Sequence, residues 1–129
     1  MSEEVNVMLS IAICDDEEYF RTTEKKLISK YMAGKNCECM IDMYESGKEL
    51  LALRSAISQY NIIFLDVNME EIDGIETAKE IRKISKDVFI VFVTAFITYA
   101  LEGYKVDAVR YLIKDHESLE KAMTECMDT

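Results

Sequence analysis

The sequence predicts an α/β domain built on a parallel sheet with helices on both faces, and three observations predict it. Short apolar runs rich in β-branched and aromatic residues recur at 8–14, 38–44, 62–66, 88–93 and 108–113. Stretches with apolar residues at helical spacing separate them, and such alternation implies a parallel sheet whose right-handed crossovers place helices on both sides. Polar side chains stand where the apolar runs end, and open α/β sheets bind their ligands at the carboxyl ends of the strands.

Met8 to Cys14 (MLSIAIC) is the first strand, and Asp16 to Tyr31 is a helix in which Phe20, Leu27 and Tyr31 share a face. Glu38 to Tyr44 (ECMIDMY) is a weaker strand. Ser46 is placed to cap the next helix, with Glu49 three residues on to complete a capping box. Ile62 to Asp66 is a strand that ends in a carboxylate, after which Asp73 caps a helix carrying Ile75, Ala78, Ile81 and Ile84. Val88 to Val93 (VFIVFV) is the most strongly strand-like run in the chain. A short amphipathic segment from Ile97 to Tyr104, a strand from Ala108 to Ile113 and a last helix with Leu119, Ala122, Met123 and Cys126 complete the pattern.

A chain of 129 residues with 50% hydrophobic residues has enough apolar material for one core. Lys plus Arg number 15 against 25 Asp plus Glu, and the net charge of -10 opposes docking onto nucleic-acid phosphates or an anionic membrane. Proline is absent and glycines number 4, so no linker or low-complexity tract divides the chain. Residues 1–7 read as a disordered or tag-like N-terminus and 8–129 as the domain. No signal peptide or membrane-length apolar run is evident, so a cytoplasmic location is expected. Cys14, Cys37, Cys39 and Cys126 read as reduced structural thiols, because the C-x-C pair lacks partners to complete a zinc set. His116, the sole histidine, reads as a surface residue opening the last helix.

The strand ends carry the chemistry. The first run delivers Asp15 and Asp16, the third Asp66, the fourth Thr94 and the fifth Lys114. Three crowded carboxylates repel one another unless a cation intervenes, and hard oxygen ligands favour Mg²⁺ or Mn²⁺. Asp16, Asp66 and the backbone carbonyl of Asn68 would suffice as protein ligands, with Asp15 acting through a water. The other oxygen of Asp66 is then available to attack a phosphoryl group, while Thr94 and Lys114 serve its anionic oxygens. Taken singly, each has a plain structural reading: Asp15 and Asp16 as helix caps, Lys114 as a solvated charge, Thr94 as a cap. Their succession along the strands is what points to phosphoryl chemistry.

The segments IAICDDE, IIFLDVNMEEIDGIETAKEIR, VFVTA and YLIK resemble the receiver domain of two-component response regulators over Met8 to Met127. The resemblance implies a flavodoxin-like fold, a five-stranded parallel sheet of order 2-1-3-4-5. It places the family's acid pair on Asp15 and Asp16, its phosphorylated aspartate on Asp66, its metal-binding carbonyl on Asn68, its hydroxyl residue on Thr94 and its lysine on Lys114. Its switch aromatic falls on Tyr111. Implied partners are a sensor histidine kinase and an output domain absent from this chain. The implied interface is a face made of the fourth helix, fifth strand and fifth helix, enriched here by Tyr99, Tyr104 and Tyr111, through which such domains pair or meet their output. The wording DGIETAKEIR with YALEGYKVDAVRYLIK is most similar to receivers that precede LytTR-type DNA-binding domains, which favours a fragment of a longer transcription regulator over a stand-alone protein. The implied role is signalling rather than enzymatic, with Mg²⁺ as cofactor and self-catalysed phosphorylation and dephosphorylation.

Two positions depart from the family. Glu70 replaces the usual proline, adding negative charge near the metal. Asp115 follows Lys114 where the family has a proline in a cis peptide bond; a cis bond before any other residue costs about 2.5 to 4 kcal/mol, so a trans bond and a reoriented Lys114 are expected. These departures keep open a degenerate receiver that binds partners without phosphorylation. A haloacid-dehalogenase-like phosphatase wants a D-x-D nucleophile after the first strand, which CDDEE lacks. A flavodoxin-type FMN site wants a Ser/Thr/Gly-rich loop there, where Asp15 to Glu18 would repel phosphate.

Overall fold

The computed structural model describes residues 8–35, 37–67, 69, 72–94, 110–114 and 119–128. Strands β1 (Met8–Cys14), β2 (Glu38–Tyr44), β3 (Ile62–Asp66), β4 (Phe89–Thr94) and β5 (Arg110–Ile113) form one sheet of order β2-β1-β3-β4-β5. Every pairing in it is parallel. Helices α1 (Glu18–Gly34), α2 (Gly47–Leu51), α3 (Gly74–Ile84) and α4 (Leu119–Asp128) accompany the strands. The expectations for residues 1–7, for the segment Ile97 to Tyr104 and for His116 lie outside the described residues.

Side chains alternate across a strand, so a strand buried on both faces must be apolar at nearly every position. Ala12, Cys14, Ile63, Leu65, Ile90 and Phe92 accordingly pack on one face against Leu50, Ile57, Ala78 and Ile81. Ile11, Ile13, Phe64, Val91, Val93 and Leu112 pack on the other against Ile28, Met32, Leu119 and Met123. Helices therefore cover both faces, as the alternation of elements predicts.

The helix starts follow local chemistry. Ser46 Oγ accepts from the Glu49 amide at 3.1 Å, while the Glu49 carboxylate accepts from the amide of Glu45 at 2.9 Å, one residue before the position a capping box uses. Asp73 accepts from the Glu76 amide at 2.8 Å and starts α3 as expected. The helix after Ser46 is short. It gives way to a 3-10 helix at Arg54–Gln59, with Arg54 at φ 53, that the sequence pattern did not signal.

At the end of the sheet opposite the strand carboxyl ends, Asn61 joins three strands. Its side-chain oxygen accepts from the Ser10 amide at 2.8 Å, its own amide donates to the Ser10 carbonyl at 2.8 Å, and its carbonyl accepts from the Phe89 amide at 3.0 Å. On the same flank as α2, Tyr60 donates to Asp42 Oδ2 at 2.6 Å and shares a further hydrogen bond with Tyr44. Cys37 is exposed just before β2, and Cys39 is half-buried within it. Among the described residues no helix is long and apolar enough to cross a membrane.

Gly74 lets α3 begin against the end of β3. A Cβ there would stand 2.2 Å from the Asp66 carbonyl oxygen and 2.7 Å from Val67 Cα, both backbone atoms that cannot swing aside. Gly74→Ala is expected to destabilise the fold by about 2 to 3 kcal/mol in urea unfolding, in the range for overpacked sites. Gly34, in α1 with nothing within 4 Å of a Cβ, provides the contrast. Gly34→Ala is expected to stabilise by about 0.5 kcal/mol.

Candidate functional site

The parallel register carries the acidic residues to one rim. Cys14 pairs with Leu65, so Asp15 and Asp66 follow at neighbouring positions on adjacent strands. The Asp15 amide continues the ladder to the Tyr44 carbonyl at 3.1 Å. On the far side, Thr94 closes β4 fully buried, and the Lys114 amide donates to its carbonyl at 2.9 Å. Lys114 leaves β5 at this point and turns its side chain back across the rim.

The ammonium of Lys114 lies 3.0 Å from Asp15 Oδ2, 3.2 Å from Asp66 Oδ1 and 3.5 Å from Glu17 Oε1. It also sits 4.4 Å from the centroid of the Phe20 ring, a cation-π contact supplied by the first turn of α1. The side chains of Lys114, Asp15 and Asp66 are 4%, 1% and 2% exposed, whereas Glu17 is 57% exposed, so the ion pairs to the two aspartates are withdrawn from water. Burial raises the Asp15 carboxyl above the ordinary range, against the Glu17 amide and Lys114, which favour its charge. For Lys114 burial acts to lower the value, but Asp66 and Asp15 outweigh it and hold the ammonium above its ordinary range.

The expected displacement of Lys114 is not observed. Two buried carboxylates and an aromatic face fix the ammonium, and this attraction across the rim decides its place rather than the residue that follows it. The peptide bond to Asp115 lies outside the described residues, as do Asn68, Glu70, Tyr99, Tyr104 and the side chain of Tyr111. Asp15, Asp16, Asp66, Thr94 and Lys114 are all described. The structure gathers Asp15, Asp16 and Asp66 with Glu17 and brings Lys114 onto them, with Thr94 at the adjoining strand end. Neither Asp15 nor Asp16 is the N-cap of α1; that position is Glu17, which makes no side-chain cap bond, while Asp15 Oδ1 accepts from the Glu17 amide at 2.9 Å.

One carboxylate oxygen from each of Asp15, Asp16, Glu17 and Asp66 lies within 4.8 Å of the others. Four oxygen donors so close, with the Lys114 ammonium beside them, fit a hard divalent cation such as Mg²⁺ rather than a soft one. Among the described residues Cys14, Cys37 and Cys39 stay outside this cluster. Cys14, directly before Asp15, is buried with its thiol pushed well up by burial, as an inert structural cysteine should be.

Three contributors escaped the reading of the sequence. Arg21 donates to the Asp15 carbonyl at 2.8 Å and pins the turn between β1 and α1. Glu17 joins the cluster from a position that reads as ordinary helix-start charge. Glu24 is 1% exposed in the apolar layer beneath the site. It stands four residues after Phe20 and four before Ile28, so a carboxylate on an apolar stripe was the available signal.

Residues 11–124 match the family model of the response regulator receiver domain, and the chain belongs to that family. It is a receiver domain of the kind two-component systems use for signalling. It is 34% identical over 108 residues to the sensory transduction protein LytT of Oceanobacillus iheyensis, covering 82% of this chain and 42% of that protein. It is 32% identical over 102 residues to the transcriptional regulatory protein LytR of Staphylococcus aureus, covering 79% of this chain and 39% of that one. The chain thus spans about two fifths of the length of these curated relatives. Among solved structures, response regulator TrrA of Thermotoga maritima, determined in complex with Mg²⁺-BeF, superposes with a TM-score of 0.73 at 31% identity, covering 93% of this chain and 98% of that one. The chemotaxis protein CheY4 of Vibrio cholerae gives 0.68 at 25% identity, over 92% of this chain and 98% of that one.

Burial of Glu24 has a measurable consequence. Loss of hydration raises its carboxyl well above the ordinary 4.5, with Asp15 adding to the effect. A group raised in the folded state binds its proton more tightly there than when unfolded, so its favourable contribution is full at low pH and is lost as pH climbs above 4.5 toward the folded value. Glu24→Leu is expected to raise stability at pH 7 by about 1 to 3 kcal/mol and to flatten the fall in stability as pH climbs above 4.5, followed by urea unfolding at each pH.

Proposed function

We propose that this receiver accepts a phosphoryl group on Asp66 from the phosphohistidine of a sensor kinase and relays the change to an output domain. The observation that carries the reading is the Asp66 carboxylate held 3.2 Å from a buried lysine, inside a cluster of three further acids. An aspartate oxygen attacks phosphorus as the bond to the donor nitrogen breaks, and that electron pair leaves with the imidazole. Asp15, Asp16 and Asp66, with the carbonyl of Asn68, would hold Mg²⁺. When bound, the ion neutralises charge on the group in transfer.

Lys114 supplies a fixed positive charge for the phosphoryl oxygens, already desolvated and backed by Phe20. Thr94, at the end of the adjoining strand, is the hydroxyl that would follow the new group inward. Phosphorylation adds about 1.5 to 2 negative charges, and Lys114 then exchanges carboxylate contacts for phosphoryl ones. Tyr111 would turn inward as Thr94 moves, altering the face offered to the output domain or to a second copy. We assign this activity to residues 8–129, on the cytoplasmic side where kinases of this type present their phosphohistidine, with a DNA-binding output domain like those of LytR-type regulators. The chemistry is a self-catalysed phosphorylation and dephosphorylation of Asp66, without turnover of a free substrate as a conventional enzyme.

Incubation with acetyl phosphate and Mg²⁺, followed by intact-mass measurement, is expected to add one phosphoryl group to the wild type and none to Asp66→Ala. Chelation of the metal is expected to abolish the gain. Equal labelling of both proteins would remove Asp66 from this role.

A further inference from the structure

We infer that Glu17 makes this site select phosphodonors by charge, slowing donors in proportion to the negative charge they carry. The inference rests on Asp66 being the phosphoacceptor and concerns what reaches it.

Glu17 occupies the N-cap position of α1, where Ser, Thr, Asp or Asn would satisfy a free amide, yet its side chain makes no cap bond. The carboxylate extends instead over the rim, 3.5 Å from the Lys114 ammonium, with an oxygen within 4.8 Å of an oxygen of Asp66. Asp15, Asp66 and Lys114 lie beneath it, all but sealed from solvent, while Glu17 stands 57% exposed on their outer side. Asp16 is exposed there too, but Asp15, Asp16 and Asp66 with the Asn68 carbonyl are the proposed metal's protein ligands. The ion thus takes up the charge of Asp16 and leaves that of Glu17, which is not among them. Phosphorus must come within about 3.5 Å of the attacking oxygen, so the donor's anionic oxygens pass within several ångströms of Glu17. At about 5 Å in a water-like medium, one pair of like charges slows approach about three- to fourfold, and salt weakens the effect.

Two small donors separate this charge effect from a structural one. In acetyl phosphate the Asp66 oxygen forms its bond to phosphorus as the bond to acetate breaks and acetate leaves with the pair. In phosphoramidate, whose nitrogen is already protonated, the P–N bond breaks and ammonia leaves with the pair. Phosphoramidate carries about one negative charge fewer at neutral pH. With the whole chain at saturating Mg²⁺ and low salt, Glu17→Gln is expected to speed labelling by acetyl phosphate about tenfold and by phosphoramidate about threefold. Glu17→Asp, which keeps the charge, should retain the wild-type ratio of the two rates, and high salt should draw the Gln ratio back toward it.

Lys114 freed from Glu17 is part of the same charge effect, whereas a steric or packing change at the rim would alter both rates alike, so the ratio separates charge from shape. A ratio unmoved by Glu17→Gln in a wild-type protein that labels normally overturns the inference and leaves the role of Asp66 standing. Failure of both donors to label the wild type overturns both. Thermal unfolding without metal should give the Gln variant a midpoint equal to or above the wild type, since no cap bond is lost and one of four crowded charges is removed; a large fall would assign Glu17 to the fold and overturn the inference.

Discussion

Two carboxylates buried side by side need a positive charge between them, and here that charge is the ammonium of Lys114. Asp15 and Asp66 stand on adjacent strands because of the register of β1 with β3, and both are nearly sealed from water. Removing either charge from water is costly unless a partner of opposite sign comes with it. Lys114 arrives from β5, two strands from β3, and its side chain must cross the end of β4 to reach them. Sheet order, strand length and the depth of the rim all bear on that one reach.

The first turn of α1 is the other half of the arrangement. Phe20 gives the ammonium an apolar seat, and Arg21 anchors the turn that presents Asp15. Just below, Glu24 places a fifth acid close enough to feel Asp15 and Asp66, with burial first and Asp15 next raising its carboxyl. The helix is thereby electrostatically part of the rim. Its amphipathic packing against the sheet cannot be separated from the charge balance above it.

Much of this was legible along the chain. The bounds of β1 and β3 follow from apolar runs that end abruptly, those of β2 from a weaker strand-like run half-buried at alternate positions, and the caps at Ser46 and Asp73 from side chains that accept backbone amides. The acid, hydroxyl and lysine at successive strand ends were legible because a parallel sheet aligns those ends. The break after Leu51 was not, since the residues through Gln59 have ordinary helical character and only packing turns them into a 3-10 helix around Arg54. Glu17 was hidden because its meaning comes from a lysine 97 positions away. The placing of Lys114 was misjudged from the residue after it, a local argument overruled by charges converging from β1, β3 and α1.

Asn61 has a bearing on how such a molecule could respond to a change at its reactive rim. It ties the chain at β1, β3 and β4 about 16 Å along the strand from Asp66. Strands stitched together at their far end cannot slide past one another without tearing those bonds. A push at Asp66 along the strand direction therefore meets resistance from those bonds. The sheet serves as a stiff bracket beneath its reactive rim.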